Sequence, residues 1–316
     1  MSWLAAGLAL VAAALLAVAT VAQQRVAATV PDDSARGLGL LRVLVRRRLW
    51  WYGLLGDGGG YVAQAAALGV GSVLLVQPLL VTTLLFALPL AARWAGRRPG
   101  RAELGWAGAL AVSLAVFVVV GNPTDGVDRA PAGDWLPLGS VLVALFAAAL
   151  LAAARTRGTP RAVLLAGATA LCYGAAAALT KGVLGEFDAG ALAVLSSWEL
   201  YVLVAVSVAG TLLQQSAFQA GGLGASLPVM TVGEPVVAVL IGTAVLGEQL
   251  RADGPEWVLI GLLVALMTLA TVALARAAAP TGGQAAGRDG DSTPPTARGT
   301  SSSPTTGSAR KPSAPA

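Results

Sequence analysis

The sequence predicts an all-α, polytopic membrane helix bundle, and three observations carry that expectation. Hydrophobic residues make up 56% of 316 positions while charged residues make up only 12%, and mean hydropathy is +0.74. Apolar runs of about 20 residues, the length a helix needs to cross a bilayer core, recur along the chain. The 21 Lys and Arg collect in the short segments between those runs, so the formal charge of +5 points to a membrane surface and not to nucleic acid.

Nine spans are expected, at about 2–22, 50–68, 72–92, 104–121, 135–154, 162–180, 191–212, 225–247 and 257–275. The first run ends in AVATVAQQ, which has the small residues of a signal-peptidase site. It lacks a basic n-region, and is expected to stay as a span. With the N-terminus outside, 18 of the 21 basic residues fall in inner segments, leaving Arg129, Lys181 and Arg251 outside. The acidic Asp125, Asp128, Asp134, Glu186, Asp188, Glu248, Asp253 and Glu256 then fall in outer loops. That asymmetry predicts an N-out, C-in protein of the cytoplasmic membrane.

The second span opens on Arg46, Arg47 and Arg48, then Trp50, Trp51 and Tyr52, side chains suited to the water–lipid boundary. The stretch before it, 23–49, mixes Leu and Val with Arg and is expected to end as a helix on the inner surface. Asp57 follows inside the apolar zone, among Gly56, Gly58, Gly59 and Gly60. Glycine weakens a helix by about 1 kcal/mol each, so Gly58, Gly59 and Gly60, together with Pro78 and Pro235, are the expected helix breaks. Beyond Arg276 the composition turns to Ala, Gly, Pro, Ser and Thr, and 277–316 reads as a disordered cytosolic tail after a transporter domain of 1–276.

Three carboxylates fall within spans: Asp57, Glu199 and Glu234. An acid at mid-membrane costs about 2.5 to 3.5 kcal/mol on an insertion scale, which makes each a candidate for a site. Glu234 stands deep in its span beside Pro235, and Glu199 one turn after Ser196, with a contact to Lys181 as its structural alternative. Tyr61, Gln64 and Gln77 complete the candidate substrate or ion-binding set; Gln214, Gln215 and Gln219 read more simply as interhelical hydrogen-bonding groups. No firm metal site emerges, although Asp57 and Glu234 would be its ligands if a cation is carried.

Several chemistries are disfavoured. Histidine is absent, which removes Ser/His catalysis, imidazole-bound zinc and a His proton relay. Cys172 is the only cysteine and reads as a core residue. Neither Lys181 nor Lys311 ends a phosphate-binding loop, so the chain holds no ATP site. No cofactor and no enzymatic activity are expected. The expected partners are the lipid bilayer, the solute or cation carried, and a second copy of the chain as a homodimer.

An internal repeat adds an architecture. A shift of 153 residues places AALGVGSVLL at 66–75 on QAGGLGASLP at 219–228, and pairs Arg98 with Arg251, Glu103 with Glu256 and Gly108 with Gly261. Spans 2 to 4 then map onto spans 7 to 9, and the odd offset inverts them. Half-repeats of about 1–121 and 135–276, four spans and five, would meet around a midplane site.

These halves, with PVVAVLIGTAVLGEQL before a last span, resemble the drug/metabolite transporter superfamily, in its EamA-like form. The double Trp at 50 and 51 with Gly53, followed by LVQPLL at 75–80, is similar to the NIPA-type magnesium transporters. The resemblance implies a secondary transporter working by alternating access, with magnesium or another divalent cation as the alternative cargo to a small solute. It also marks a departure: the family's Glu and Asn between Trp and Pro correspond to Tyr61 and Gln64. Asp57 stands one turn earlier on the same face, at the i, i+4, i+7 spacing of 57, 61 and 64.

Overall fold

The computed structural model describes residues 3–27, 48–94, 96, 98–221 and 223–278, all within one unit, Met1–Pro280. The expected interfacial segment before Arg48 and the expected tail lie outside the described residues, apart from their edges.

The described chain is a helix bundle. Its first two helices are α1 (Trp3–Ala27) and α2 (Arg48–Gly69). Next come α3 (Val73–Leu80), α4 (Thr83–Trp94) and α5 (Arg101–Gly121). A two-residue strand, β1 (Pro123–Thr124), leads to α6 (Ala132–Arg155) and α7 (Thr159–Leu184). A 3₁₀ turn and the six-residue α8 (Ala191–Ser196) precede α9 (Trp198–Gly221) and α10 (Leu223–Ala244). The strand β2 (Gln249–Leu250) and α11 (Glu256–Ala278) complete the order.

Among the described residues, eight helical stretches are long and apolar enough to cross a membrane, with α3 and α4 counting as one. The chain is therefore an all-α polytopic bundle. Helix α2 has the length but stands outside the eight, because Asp57, Gln64 and its glycines dilute its apolar content.

Two expected breaks are corrected. Helix α2 runs unbroken through Gly58, Gly59 and Gly60. Its glycines serve approach instead: a Cβ on Gly60 would lie 2.7 Å from the Leu16 side chain and one on Gly56 3.1 Å from Ala19. Packing against α1 outweighs the poor helical propensity of this run. Helix α10 likewise continues past Pro235. Near Pro78 the helix does stop, at Val81–Thr82, where Val81, Thr82, Leu84 and Leu85 donate to carbonyls three residues back. The Thr82 and Thr83 hydroxyls donate to Leu79 and Leu80 carbonyls across the same joint. The seventh expected span also begins later, at Trp198, after Ser197 separates it from α8.

The ends of the helices sort into two groups. Ala5 of α1 meets Gly71, while Leu16 and Ala12 meet Gly60, so α1 and α2 run antiparallel. Gly69 faces Leu184. Strands β1 and β2 pair antiparallel, Pro123 opposite Leu250, and Arg251 N–H donates to Gly121 O at 2.9 Å. Trp135 and Trp198 stack edge to face with centroids 5.7 Å apart. These contacts gather the start of α1 and the segments 69–73, 121–135, 181–198 and 245–256 at one end, called here the clasp end. Arg93, Arg101, Arg155, Arg161 and Arg276 fall at the other ends of their helices, with Arg98 and Arg157 in the connections beside them.

Helix α7 is the most enclosed span and α6 the least. Ala and Gly occupy much of α7, which lets α9, α10, α6 and α2 all pack on it.

Candidate functional site: a polar cavity on helix α7

Four helices wall a cavity of about 590 Å³. Tyr61, Gln64 and Ala65 come from α2; Tyr173, Ala176, Ala177 and Thr180 from α7; Leu203, Ser207, Thr211 and Gln214 from α9; Glu234 from α10. Each helix presents one stripe, since residues three, four and seven apart share a face. Glu234 lies at the centre of the 22-residue α10, eleven residues from its first position.

The polar groups are ordered by their own contacts. Tyr173 donates its phenolic proton to Gln214 Oε1 at 3.1 Å and has Thr211 Oγ1 at 3.3 Å. Thr211 donates to Ser207 O at 2.9 Å and Thr180 to Ala176 O at 2.7 Å, so each hydroxyl spends its proton on its own helix and keeps lone pairs as acceptors. Among the described residues Glu234 makes no hydrogen bond or ion pair, and no Lys or Arg lines the wall. The cavity thus carries one acid, aromatic rings, and a surplus of acceptors.

The α7–α10 wall tolerates no extra volume. A Cβ on Gly174 would lie 2.6 Å from Val237 and 2.8 Å from the Glu234 carbonyl oxygen. We expect Gly174→Ala to destabilise the protein by about 1 to 3 kcal/mol, because the obstructing atoms include backbone. Thermal unfolding in detergent checks this, and an unchanged midpoint would contradict the close packing.

Of the residues expected from sequence, Tyr61, Gln64 and Glu234 meet in this cavity. Asp57, half-buried on α2, is not on its wall and has an interaction of its own. Gln77 is buried in α3, away from the lining, and its Nε2 lacks a partner. Glu199, 1% exposed, is held by Arg129: Nε donates to Oε1 at 2.6 Å and Nη2 to Oε2 at 3.1 Å, while Nη1 bonds Glu186. A bidentate grip of this kind is strong and fixes the geometry of both side chains. The expected alternative contact of Glu199 with Lys181 is corrected, since Lys181 pairs with Glu248.

Tyr173, Thr180, Ser207 and Thr211 were not legible as site residues, and Gln214 read as an interhelical group. Their signal was present in spacing: Ser207, Thr211 and Gln214 stand at i, i+4, i+7, as do Tyr173 and Thr180 at i, i+7. Hydroxyls in Ala-rich spans usually satisfy their own helix, which is why the stripe does not stand out.

Comparison with known proteins adds a relationship. An uncharacterized protein of Corynebacterium glutamicum, Cgl0250/cg0304, is 37% identical over 270 residues, which cover 85% of this chain and 93% of that one. This chain belongs to the same family. No family model and no solved structure matches it.

Proposed function

We propose that the protein is a secondary transporter that moves a small organic solute carrying positive charge, using the α2–α7–α9–α10 cavity as its site. One observation carries the reading: a polar space large enough for a solute, at mid-helix depth, with a single carboxylate and no basic side chain among the described residues that line it. An intramembrane acid without a protein counter-charge is suited to a cation that comes and goes. Tyr61 and Tyr173 add ring faces that attract ammonium or guanidinium groups. Catalysis is a poorer reading, since the wall offers no nucleophile with an adjacent base.

The drug/metabolite transporter architecture is supported by which helices touch. The pairs α1·α2 and α7·α9 are both extensive, as are α1 with α3–α4 and α7 with α10. Counting α3–α4 as one span and passing over α8, these pairs differ by the five-span offset of the sequence repeat, and α3·α10 and α5·α11 map onto themselves. With α2 as a ninth span, the clasp end lies outside and the arginine-rich end in the cytosol of the cytoplasmic membrane. The exposed faces of α6 and α9 would meet lipid.

Magnesium is the second reading, from the resemblance of α2 and α3 to NIPA-type proteins. Among the described residues no three acidic, His or Cys side chains gather, whereas a divalent ion held by protein favours several carboxylate oxygens. Vesicles containing only the purified chain decide between these. We expect uptake of organic amines and guanidines, with neutral isosteres excluded. Magnesium uptake without amine uptake would install the second reading, and no flux of either would reject transport.

A further inference from the structure

Glu248 occupies an unusual position, buried at 1% exposure although it follows the end of a span. Its carboxylate accepts the backbone N–H of Val73 at 2.8 Å and of Leu74 at 2.9 Å, and Lys181 Nζ donates to it at 2.8 Å. It therefore caps the free amides of α3 with a full negative charge while pairing with a cation from α7. Three elements from both halves of the chain are joined at one carboxylate. Lys181 has a second acid within reach: Asp128 Oδ1 lies at 4.0 Å, and its side chain is 72% exposed whereas that of Glu248 is 0% exposed.

We propose that Lys181, Glu248 and Asp128 form an electrostatic clasp that closes the clasp end of the cavity and opens by transfer of Lys181 from Glu248 to Asp128. Rests of the mechanism are in place. Lys181 directly follows Thr180, a wall residue, so displacement of one moves the other. Helix α3 is a short arm of eight residues, jointed at Val81–Thr82, where intrahelical bonding lapses into three-residue steps. Swinging that arm withdraws the Val73 and Leu74 amides from Glu248. The closed arrangement has strong bonds at a high desolvation cost, and the open one has weaker bonds with hydrated charges, which is how two states come to lie close in free energy. The inference rests on alternating access through the cavity, and its test does not require flux.

The experiment places one reporter thiol in the cavity, Ser207→Cys, after replacing the lone cysteine by Cys172→Ser, and measures its modification by a membrane-impermeant reagent. A parallel Asp134→Cys protein identifies the side on which the clasp end lies. From that side, Glu248→Gln should speed labelling about 10-fold, because it removes the charge that holds both α3 and Lys181. Asp128→Asn, at an exposed position, should slow it about 3-fold by removing the acceptor of the open state. Opposite signs separate a clasp from general loosening, which would speed both. An unchanged rate in Glu248→Gln, or faster labelling in Asp128→Asn, overturns the proposal; if Glu248→Gln fails to give a monodisperse protein, Asp128→Asn alone decides. Amine flux of the wild-type protein in parallel membranes reports separately on transport: labelling that shifts as stated beside a wild type without flux keeps the clasp and removes the transporter.

Discussion

Replacing Glu234 by Gln should weaken binding and uptake of an organic cation by roughly 10- to 100-fold, the range expected when a charge-assisted hydrogen bond worth about 1.5 to 3 kcal/mol is lost. Gln keeps the shape of the side chain and adds a donor where the wall is rich in acceptors, so packing against α7 should survive. The effect should be concentrated on charged solutes, because among the described residues Glu234 is the one carboxylate on the wall, so no second carboxylate there takes over its charge. Uptake kinetics and calorimetric binding of one amine to wild type and variant measure this, with the unfolding midpoint as the control for folding. Equal affinity in the two proteins would remove Glu234 from recognition.

Lys181→Met is expected to have the largest effect on stability, a loss of about 3 to 5 kcal/mol, since it strands the Glu248 carboxylate without a cation in a buried site. Both partners are almost fully enclosed, at 2% and 0% side-chain exposure, so solvent screening does little to soften the loss. The double variant Lys181→Met/Glu248→Gln should recover more than half of it, because a neutral amide still reaches the α3 amides with one oxygen. Denaturant or thermal unfolding of the wild type, both single variants and the double variant gives the coupling directly. Additive losses would show that the two side chains do not act as a pair.

Much of the architecture was legible because hydrophobic run length and basic-residue placement are one-dimensional quantities, readable without knowing what touches what. Tyr61, Gln64 and Glu234 were legible for the same reason, since a polar side chain inside an apolar run is anomalous wherever it points. Glycine was misleading: Gly58, Gly59 and Gly60 look like a break on propensity, yet a helix that packs closely on α1 uses that absence of side chains and stays continuous.

Glu248 shows the opposite failure. By position it belonged with the solvated acids of an outer loop, and nothing in its neighbours along the chain marks it as buried; its partners, Val73, Leu74 and Lys181, stand 175, 174 and 67 residues away. Glu199 reads from sequence as a site candidate with Lys181 as its alternative contact, whereas its carboxylate is paired with Arg129, because Arg129 and Lys181 are both near the same ends and only packing chooses between them. The sequence by itself determined the helical class, the rhythm of its spans and the acid at the middle of α10, all consequences of how apolar and polar residues alternate along one helix. Which stripes face one another across the cavity, which acid meets which cation, and that α3 is tied at its first turn were decided only by the tertiary structure, since ion pairing and cavity walls depend on distances between segments far apart in the chain.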